Sequence, residues 1–458
     1  MLGWRRGTRW TPSPWPGRIT ELIFKLGNGE LLGQWRLDDR HALVVSCVGG
    51  AVRLTPAVGG DTGWRRAEPG DGTATAFIAA LSAATGPAGT GPPSGFRIRH
   101  FAPQPESQAP QPDSQPGSEP QPATSPERGF TVDQTNESVV VSERFVVKWL
   151  LAPEQRPHPA PPLLAHLAEV GFRRTPAPYA ALWWSAEQAG VEQAGPSALL
   201  ALVAGYLPEA DDGWDWCVAD LLAEWSGGSP ARFPADLGVL AADLHAALAT
   251  PSATFPEPLT QAGPAEVAAW ARGSAEAVRA ALACTTGADR AWLQSKADHL
   301  RGDAAPPWIS QTPVLHIHGD LHVGQILRWR GGLAVTDFDG NPAMAFEEPV
   351  RQPAARDIAQ LLTSLEHVAQ IADKRTGYQQ TGRALAFAAT ARQDCFDAYR
   401  ARLTSHGASH VLDERLLNPF AVEQECRELI YAAKFLPRWT YAPMNVLRSW
   451  YPDQPETT

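Results

Sequence analysis

The stretch His318-Gly319-Asp320-Leu321-His322-Val323-Gly324-Gln325, followed by Val335-Thr336-Asp337-Phe338-Asp339-Gly340, constrains this chain more than any other part of it. A carboxylate at Asp320, a side-chain amide five residues on at Gln325 and a second carboxylate seventeen residues on at Asp337 occur in order. Between them Gly332-Leu333-Ala334-Val335 reads as a short strand that delivers Asp337 into a turn. Asp320 has the chemistry to accept a proton from a hydroxyl. Gln325 offers a carbonyl oxygen, and Asp337 a carboxylate, to a divalent cation, with Asp339 beside it as an assisting ligand. Phosphoryl transfer needs these parts, because its catalysis is mostly positioning plus charge neutralisation. A hairpin whose polar residues merely satisfy a turn explains neither the amide nor the second carboxylate.

A competing reading starts from the same residues. His316, His318, Asp320 and His322 alternate, so a strand would place all four on one face. Neutral imidazoles are good zinc ligands, which makes a zinc hydrolase the rival. The final His is displaced by one residue from such a signature. His316 is therefore read as a packed residue, and His318 as one that shapes the loop by hydrogen bonding.

A length of 458 residues suggests about three domain-sized units. Hydrophobic residues at 44% and seventeen Trp are ample for a core. The net charge of −10, with no basic run longer than Arg-Arg, argues against a nucleic-acid partner. Cys47, Cys217, Cys284, Cys395 and Cys426 are scattered and form no CxxC pair, which fits reduced thiols of a cytoplasmic protein. Prolines follow Met1-Leu2-Gly3-Trp4-Arg5-Arg6 where a signal peptide would have an apolar segment. No stretch approaches eighteen uninterrupted apolar residues, so no membrane association is expected.

Residues 18–66 carry short alternating apolar runs between Gly and Asp turns, which predicts a small antiparallel sheet. Thr75 to Ala84 reads as a helix and Phe96 to Phe101 as a strand. Pro103 to Arg128 is built from Pro, Gln, Ser and Glu, and is expected to be a disordered linker or long loop. Phe130 to Leu151 reads as strand–turn–strand with Glu143-Arg144 as the turn. Lys148 sits in the apolar run Phe145-Val146-Val147-Lys148-Trp149, where a charge is costly unless it meets an anion. An edge-strand lysine reaching solvent is the alternative; the loop around Asp320 in the same chain favours the phosphates of a nucleotide. Ala198 to Leu207 reads as a strand whose end, Gly205-Tyr206-Leu207, offers backbone to an adenine ring.

Helical periodicity follows at Trp214–Trp225, Ala235–Leu248, Leu259–His299 with breaks near Thr285 to Asp289, Asp357–Ile371, Leu385–Leu403 and Pro419–Leu436. In the last of these Gln424, Arg427, Glu428 and Tyr431 share one face. A sugar wants such hydrogen-bonding side chains and an aromatic platform, for which Trp439 is the candidate. A sugar bearing an ammonium wants a carboxylate, from Glu425 or Glu428. A solvated charged face accounts for the same pattern equally well.

The polar segment Gln134-Thr135-Asn136 with Ser138-Val139-Val140, Lys148, the loop with Gln325 where most relatives of the fold have Asn, and Asp337-Phe338-Asp339-Gly340 resemble bacterial maltokinases. The terminal helix from Glu423 to Tyr431, with Leu436-Pro437-Arg438-Trp439-Thr440-Tyr441, is more similar to the actinobacterial glucosamine kinases, a neighbouring branch. The resemblance implies an α+β, bilobal protein-kinase-like (aminoglycoside phosphotransferase-like) fold. Its parts would be an N-terminal cap subdomain at 1–95, a nucleotide-binding N-lobe at 96–207 and a mainly helical C-lobe at 208–458. It implies a sugar kinase dependent on ATP and Mg²⁺, acting on the 6-hydroxyl of glucosamine. Maltose phosphorylated at its anomeric hydroxyl is the alternative, with aminoglycoside phosphorylation and a pseudokinase behind it. Asp320 would be the base, with Gln325, Asp337 and Asp339 on the metal. Lys148, Ser138 and the Gly205-Tyr206-Leu207 backbone would hold the nucleotide, and His322, Gln424, Glu425, Arg427, Glu428 and Trp439 would meet the sugar. One departure stands out. The acid that pairs with the strand lysine in maltokinases is missing from His158-Pro159-Ala160-Pro161-Pro162-Leu163, leaving Glu154 or Glu169 as substitutes.

Overall fold

Gly and Asp turns break the first apolar runs into a four-stranded antiparallel meander: β1 (Glu30–Arg36), β2 (His41–Val48), β3 (Ala51–Gly60) and β4 (Gly63–Arg66). The computed structural model describes residues 29–60, 63–84, 91–101, 127–130, 136–186, 197–307, 309–341 and 351–453. Residues 18–28 and the polar pair Gln134-Thr135 lie outside them. Helix α1 (Thr73–Ala84) follows the meander.

A second sheet has six strands in the order β5-β9-β10-β8-β7-β6. They are β5 (Phe96–His100), β6 (Glu127–Gly129), β7 (Glu137–Val141), β8 (Phe145–Trp149), β9 (Pro178–Trp184) and β10 (Ala198–Gly205). Strand β6 corrects the linker expectation at its end. Glu127 is buried, and its carboxylate accepts the backbone N–H groups of Gly72 at 2.9 Å and Thr75 at 2.6 Å. It thereby satisfies the amino end of α1, whose first N–H groups have no partner within the helix. The rest of that stretch, 103–126, lies outside the described residues. The turn between β7 and β8 takes in the expected Glu143-Arg144 and also Ser142 before them, and it is Ser142 and Glu143 that carry its unusual backbone. Both have left-handed backbone, with φ of 52° and 50°, and with Arg144, whose N–H donates to the Val141 carbonyl at 3.0 Å, they make the three-residue link between the paired Val141 and Phe145.

One core fills the space between the two sheets. Trp35, Leu43, Leu54 and Phe77 from the meander and α1 pack with Phe96, Val147, Trp149, Leu182 and Leu200. Phe77 meets Trp149 at 5.0 Å between ring centroids and Trp35 edge-on at 5.9 Å. Contacts within the chain gather the described residues into two compact units. One falls within residues 1–100, 105–157 and 179–206, and the other within 101–104, 158–178 and 207–458.

The second unit is mostly helical. It begins with α2 (Ala160–Glu169), α3 (Gly213–Trp225) and α4 (Phe233–Leu248). The stripe Leu237, Leu240, Leu244 and Leu248 of α4 is fully buried, as its spacing predicts. Thr260–Ala262 is a strand, β11, where a helix was expected, because Gly263-Pro264 places the helix start after it. Then come α5 (Pro264–Cys284), α6 (Gly287–Ser295), α7 (Ala297–Ala304), β12 (Thr312–Val314) paired with β11, and the hairpin β13 (Ile326–Trp329) and β14 (Gly332–Val335). The chain closes with α8 (Ala354–Arg375), α9 (Thr381–Ser405), α10 (Leu417–Phe435) and α11 (Tyr441–Trp450). Among the described residues no helix is long and apolar enough to cross a membrane.

Candidate active site

The loop before β13 is held by backbone and buried polar groups. Leu315 exchanges both backbone hydrogen bonds with Gln352. The carboxylate of Asp357, in the first turn of α8, accepts the N–H groups of His318 and Gly319, each at 2.9 Å. Asp357 is itself fully buried and meets Nε2 of His245 at 3.2 Å, while Nδ1 of His245 meets the Tyr399 hydroxyl at 2.7 Å. Gly319 has φ of 84°, and a Cβ there would stand 3.4 Å from Cα of Gly340. The two glycines let the loop and the segment after Asp337 pass closely.

The same loop is tied to the second carboxylate segment. Nε2 of His318 meets the Thr336 carbonyl at 2.8 Å, and Thr336 N–H donates to the Gln325 carbonyl at 2.8 Å. His318 therefore shapes the loop, as expected. Phe338 is buried against the His318 ring, 4.8 Å between centroids. The backbone at Asp337 is left-handed, with φ of 62°. Asp339 lies 3.8 Å from Nε2 of His158, at the position where the missing acid was sought.

Asp320 is aimed by two amides. Gln360 of α8 donates to its Oδ1 at 2.6 Å, and Gln325 Nε2 lies 3.5 Å from its Oδ2. With its nitrogen turned to Asp320, Gln325 keeps Oε1 as an acceptor. Together with Asp337 and Asp339 this is a hard oxygen donor set, the kind that suits Mg²⁺. His322 Nε2 stands 3.7 Å from Asp320, and its Nδ1 accepts the Gly324 N–H. His316 takes a different course. It stacks on Phe255 at 4.3 Å, and burial, with Arg351 and His166 nearby, lowers its pKa to about 4. The three histidines thus serve three separate purposes. Among the described residues no group of three or more His, Cys, Asp or Glu side chains is placed to hold a metal ion.

From Asp320 an aromatic path leads to α10. His322 stacks on Trp214 at 5.6 Å, and Trp214 meets Trp439 at 5.6 Å. Trp214 stands at the start of α3, which presses so closely on the loop that a Cβ at Gly213 would lie 1.7 Å from the Val323 carbonyl oxygen. Trp439 Nε1 donates to Glu428 Oε2 at 3.0 Å, and Gln424 Nε2 donates to Glu428 Oε1 at 3.0 Å. Gln424, Glu428, Trp439, His322 and Asp320 are therefore brought into one connected group. Glu425 is fully buried behind it and pairs with His367 at 3.0 Å. Burial opposes the His367 charge, yet Glu425, Glu428 and Glu366 raise its pKa to about 9. Burial pushes Glu425 up to about 7. Arg427 is not part of the group, which corrects its placement on the sugar face. Its guanidinium pairs with Glu423, whose carboxylate also meets Arg356 and Ser274.

In the other unit, Lys148 faces Ser138 across the β7–β8 pair and Leu202 across the β8–β10 pair. Directly opposed residues share a face of the sheet, so two residues chosen independently from sequence lie side by side. Strand β8 is interior, which removes the edge-strand reading of the lysine. Gly205 closes β10, and the Tyr206 N–H donates to the Arg144 carbonyl at 2.8 Å, while Leu207 is buried. Glu154 is paired with Arg156, and Glu169 accepts the N–H and hydroxyl of Thr254 at 2.9 and 2.6 Å.

Sequence reasoning missed Trp214, His245, Asp357, Gln360, His367 and Tyr399. A signal did exist for some of them. Asp357, Gln360, Ser364 and His367 recur every three or four residues on α8, one polar stripe of a helix that is almost wholly buried.

No family model matches the chain. A glucosamine kinase from Streptacidiphilus jiangxiensis is 38% identical over 454 residues, covering 96% of this chain and 93% of that protein. The chain belongs to the glucosamine kinase family. A second relative, the glucosamine kinase of Mycolicibacterium smegmatis, is 37% identical over 84% of this chain and 89% of its own length. A glucosamine kinase crystal structure matches with a TM-score of 0.75 at 34% identity, over 93% of this chain and 94% of the other. Another, in complex with glucosamine, ADP and inorganic phosphate, matches with 0.71 at 35%, over the same shares. The fold is thus the α+β, aminoglycoside phosphotransferase-like one expected, and the family is the glucosamine kinases and not the maltokinases.

Proposed function

We propose that the protein transfers the γ-phosphoryl group of ATP to the 6-hydroxyl of glucosamine. The observation that carries this reading is the connected group from Asp320 to Glu428 in a chain of this family. It offers a proton acceptor at one end and a carboxylate for an ammonium at the other. Asp320, aimed by Gln360 and Gln325, orients the acceptor hydroxyl and takes its proton. Gln325, Asp337 and Asp339 would hold Mg²⁺, which when bound neutralises charge on the transferring phosphates. Lys148 and Ser138 would grip the phosphates, and the Gly205-Tyr206-Leu207 backbone would receive adenine. Glu428, fixed by Gln424 and Trp439, meets the ammonium in a charge-assisted hydrogen bond. His322 and Trp214 offer the ring a polar and an apolar contact. Glu425 sets the charge of His367 behind them. The division into a cap at 1–95, an N-lobe at 96–207 and a C-lobe at 208–458 is part of this proposal.

The test is ATP consumption with Mg²⁺ against glucosamine, glucose, maltose and an aminoglycoside, with Asp320→Asn as control. Turnover confined to glucosamine is the expected result. Turnover of maltose in preference to glucosamine, or full activity in the Asp320→Asn variant, would overturn it.

A further inference from the structure

Beside Trp439 lies a hollow of about 410 Å³ that the proposed reaction leaves unused. It is lined by Ile371, Lys374 and Arg375 of α8, by Leu436, Arg438 and Trp439, and by Tyr441 of α11. Three of these are cations, on a chain whose net charge is −10. Lys374 lies over the Tyr441 ring, 3.5 Å from its centroid, and Arg375 has Asp215 at 3.6 Å. Arg438 meets no acid within ion-pair distance among the described residues. A mostly apolar hollow with an uncompensated guanidinium in its lining suits an anion carried on an organic group, since an Arg fork matches carboxylate and phosphate geometry.

Its position says what that anion belongs to. Gln360, His367, Ile371 and Lys374 follow one another at helical spacing along one face of α8. Gln360 holds Asp320, and His367 meets the Trp439 ring at 5.3 Å. Seven residues separate His367 from Lys374, an advance of about 10 Å along the helix. The hollow therefore lies further along α8 than Gln360 and His367, and Trp439, which lines it, joins it to Glu428. A pyranose bound with its 6-hydroxyl at Asp320 directs the opposite side of its ring that way. C2, with the amino group, lies across the ring from C5, which carries the hydroxymethyl, and C1 adjoins C2. C1 and C3 both adjoin C2, and in a glycoside it is C1 that carries the substituent, so the anomeric group is the one able to extend toward Lys374 and Arg438.

Resting on the acceptor assignment above, we infer that the hollow is an aglycone subsite, and that the enzyme also accepts glucosaminides whose anomeric substituent carries a carboxylate or phosphate. Free glucosamine fills the inner part of the groove; an acidic glycoside fills both. Trp439 is the shared wall, lining the hollow while its indole N–H donates to Glu428.

The experiment compares kcat/KM for glucosamine, a carboxymethyl glucosaminide and the matched neutral carboxamide, both anomers of each, in the full-length enzyme and in Arg438→Ala. The carboxymethyl glycoside of one anomer is expected to exceed its carboxamide by about tenfold, the worth of one charge-assisted contact. Arg438→Ala should erase that difference while leaving free glucosamine within about twofold; added phenyl phosphate should compete with the acid glycoside and not with free glucosamine. Equal values for acid and amide, an Arg438→Ala loss shared by all three acceptors, or turnover of glucosamine alone would each overturn the subsite. Failure of glucosamine itself to turn over would remove the acceptor assignment and the subsite with it.

Discussion

The core between the two sheets and the stripe along α8 are both buried, yet they are made of opposite materials. Trp35, Phe77, Trp149 and Leu182 exclude water by apolar contact alone. On α8 the buried residues include Arg356, Asp357, Gln360, Ser364, Glu366, His367, Gln370 and Asp373. An apolar core is non-directional, so it fixes a shape without fixing any one atom. A buried polar group must have its partner at a set distance and angle, so it fixes atoms. The catalytic loop has to be placed to fractions of an ångström, and α8 is built to do that.

Substitutions should separate the two kinds of burial. Asp320→Asn should lower kcat about a thousandfold with little change in ATP affinity, the scale of a lost general base, as read by steady-state kinetics and nucleotide titration. Phe77→Ala should cost about 4 kcal/mol of stability by opening a cavity. The kcat/KM of the folded protein should stay near wild type; a matching loss of kcat in a fully folded sample would refute the division of labour. Asp357→Ala leaves the His318 and Gly319 N–H groups without their acceptor. A fall in kcat of about a hundredfold is expected, as a loop displaced by an ångström would give, with KM for ATP nearly unchanged.

Glu428→Gln sharpens the picture at the acceptor end. KM for glucosamine should rise about tenfold while that for glucose does not, because only the amino sugar loses a charge-assisted bond. Equal changes would remove the ammonium contact. His316 gives the smallest effect at neutral pH. Its pKa falls from 6.5 to about 4 in the folded state. It therefore contributes stability that is present above pH 6.5 and is lost as pH falls through about 4. His316→Phe should flatten the decline of Tm between those values, and an unchanged decline would place the acid sensitivity elsewhere.

The part of the candidate site around Asp320 was legible in the sequence because its residues are local. Asp320, Gln325 and Asp337 must sit at short fixed separations on one loop and one hairpin, and no other use of the chain demands that spacing. Lys148 was legible as a charge in an apolar strand. The supports were not. His245 and Tyr399 reach Asp357 from distant helices, and nothing in either segment alone tells a buried relay from ordinary helical polarity. Asp357 and His367 suffered from a rule that usually works, that charged residues on a helix face water. Glu127 was lost to composition, since a Glu beside Pro, Gln and Ser gives no hint that a helix end elsewhere needs a cap. Arg427 shows the limit of helical wheels. It stands near Gln424 and Glu428 by angle, but Glu423 one turn earlier holds its charge.

The left-handed backbone at Asp337 has a consequence for what a substitution there would do. A residue with a Cβ costs roughly 1 kcal/mol more in that conformation than glycine does. Asp337→Gly would therefore relieve that backbone cost while removing the carboxylate proposed for the metal. The aspartate at this position thus carries a backbone cost that glycine would not, set against the metal role proposed for its carboxylate.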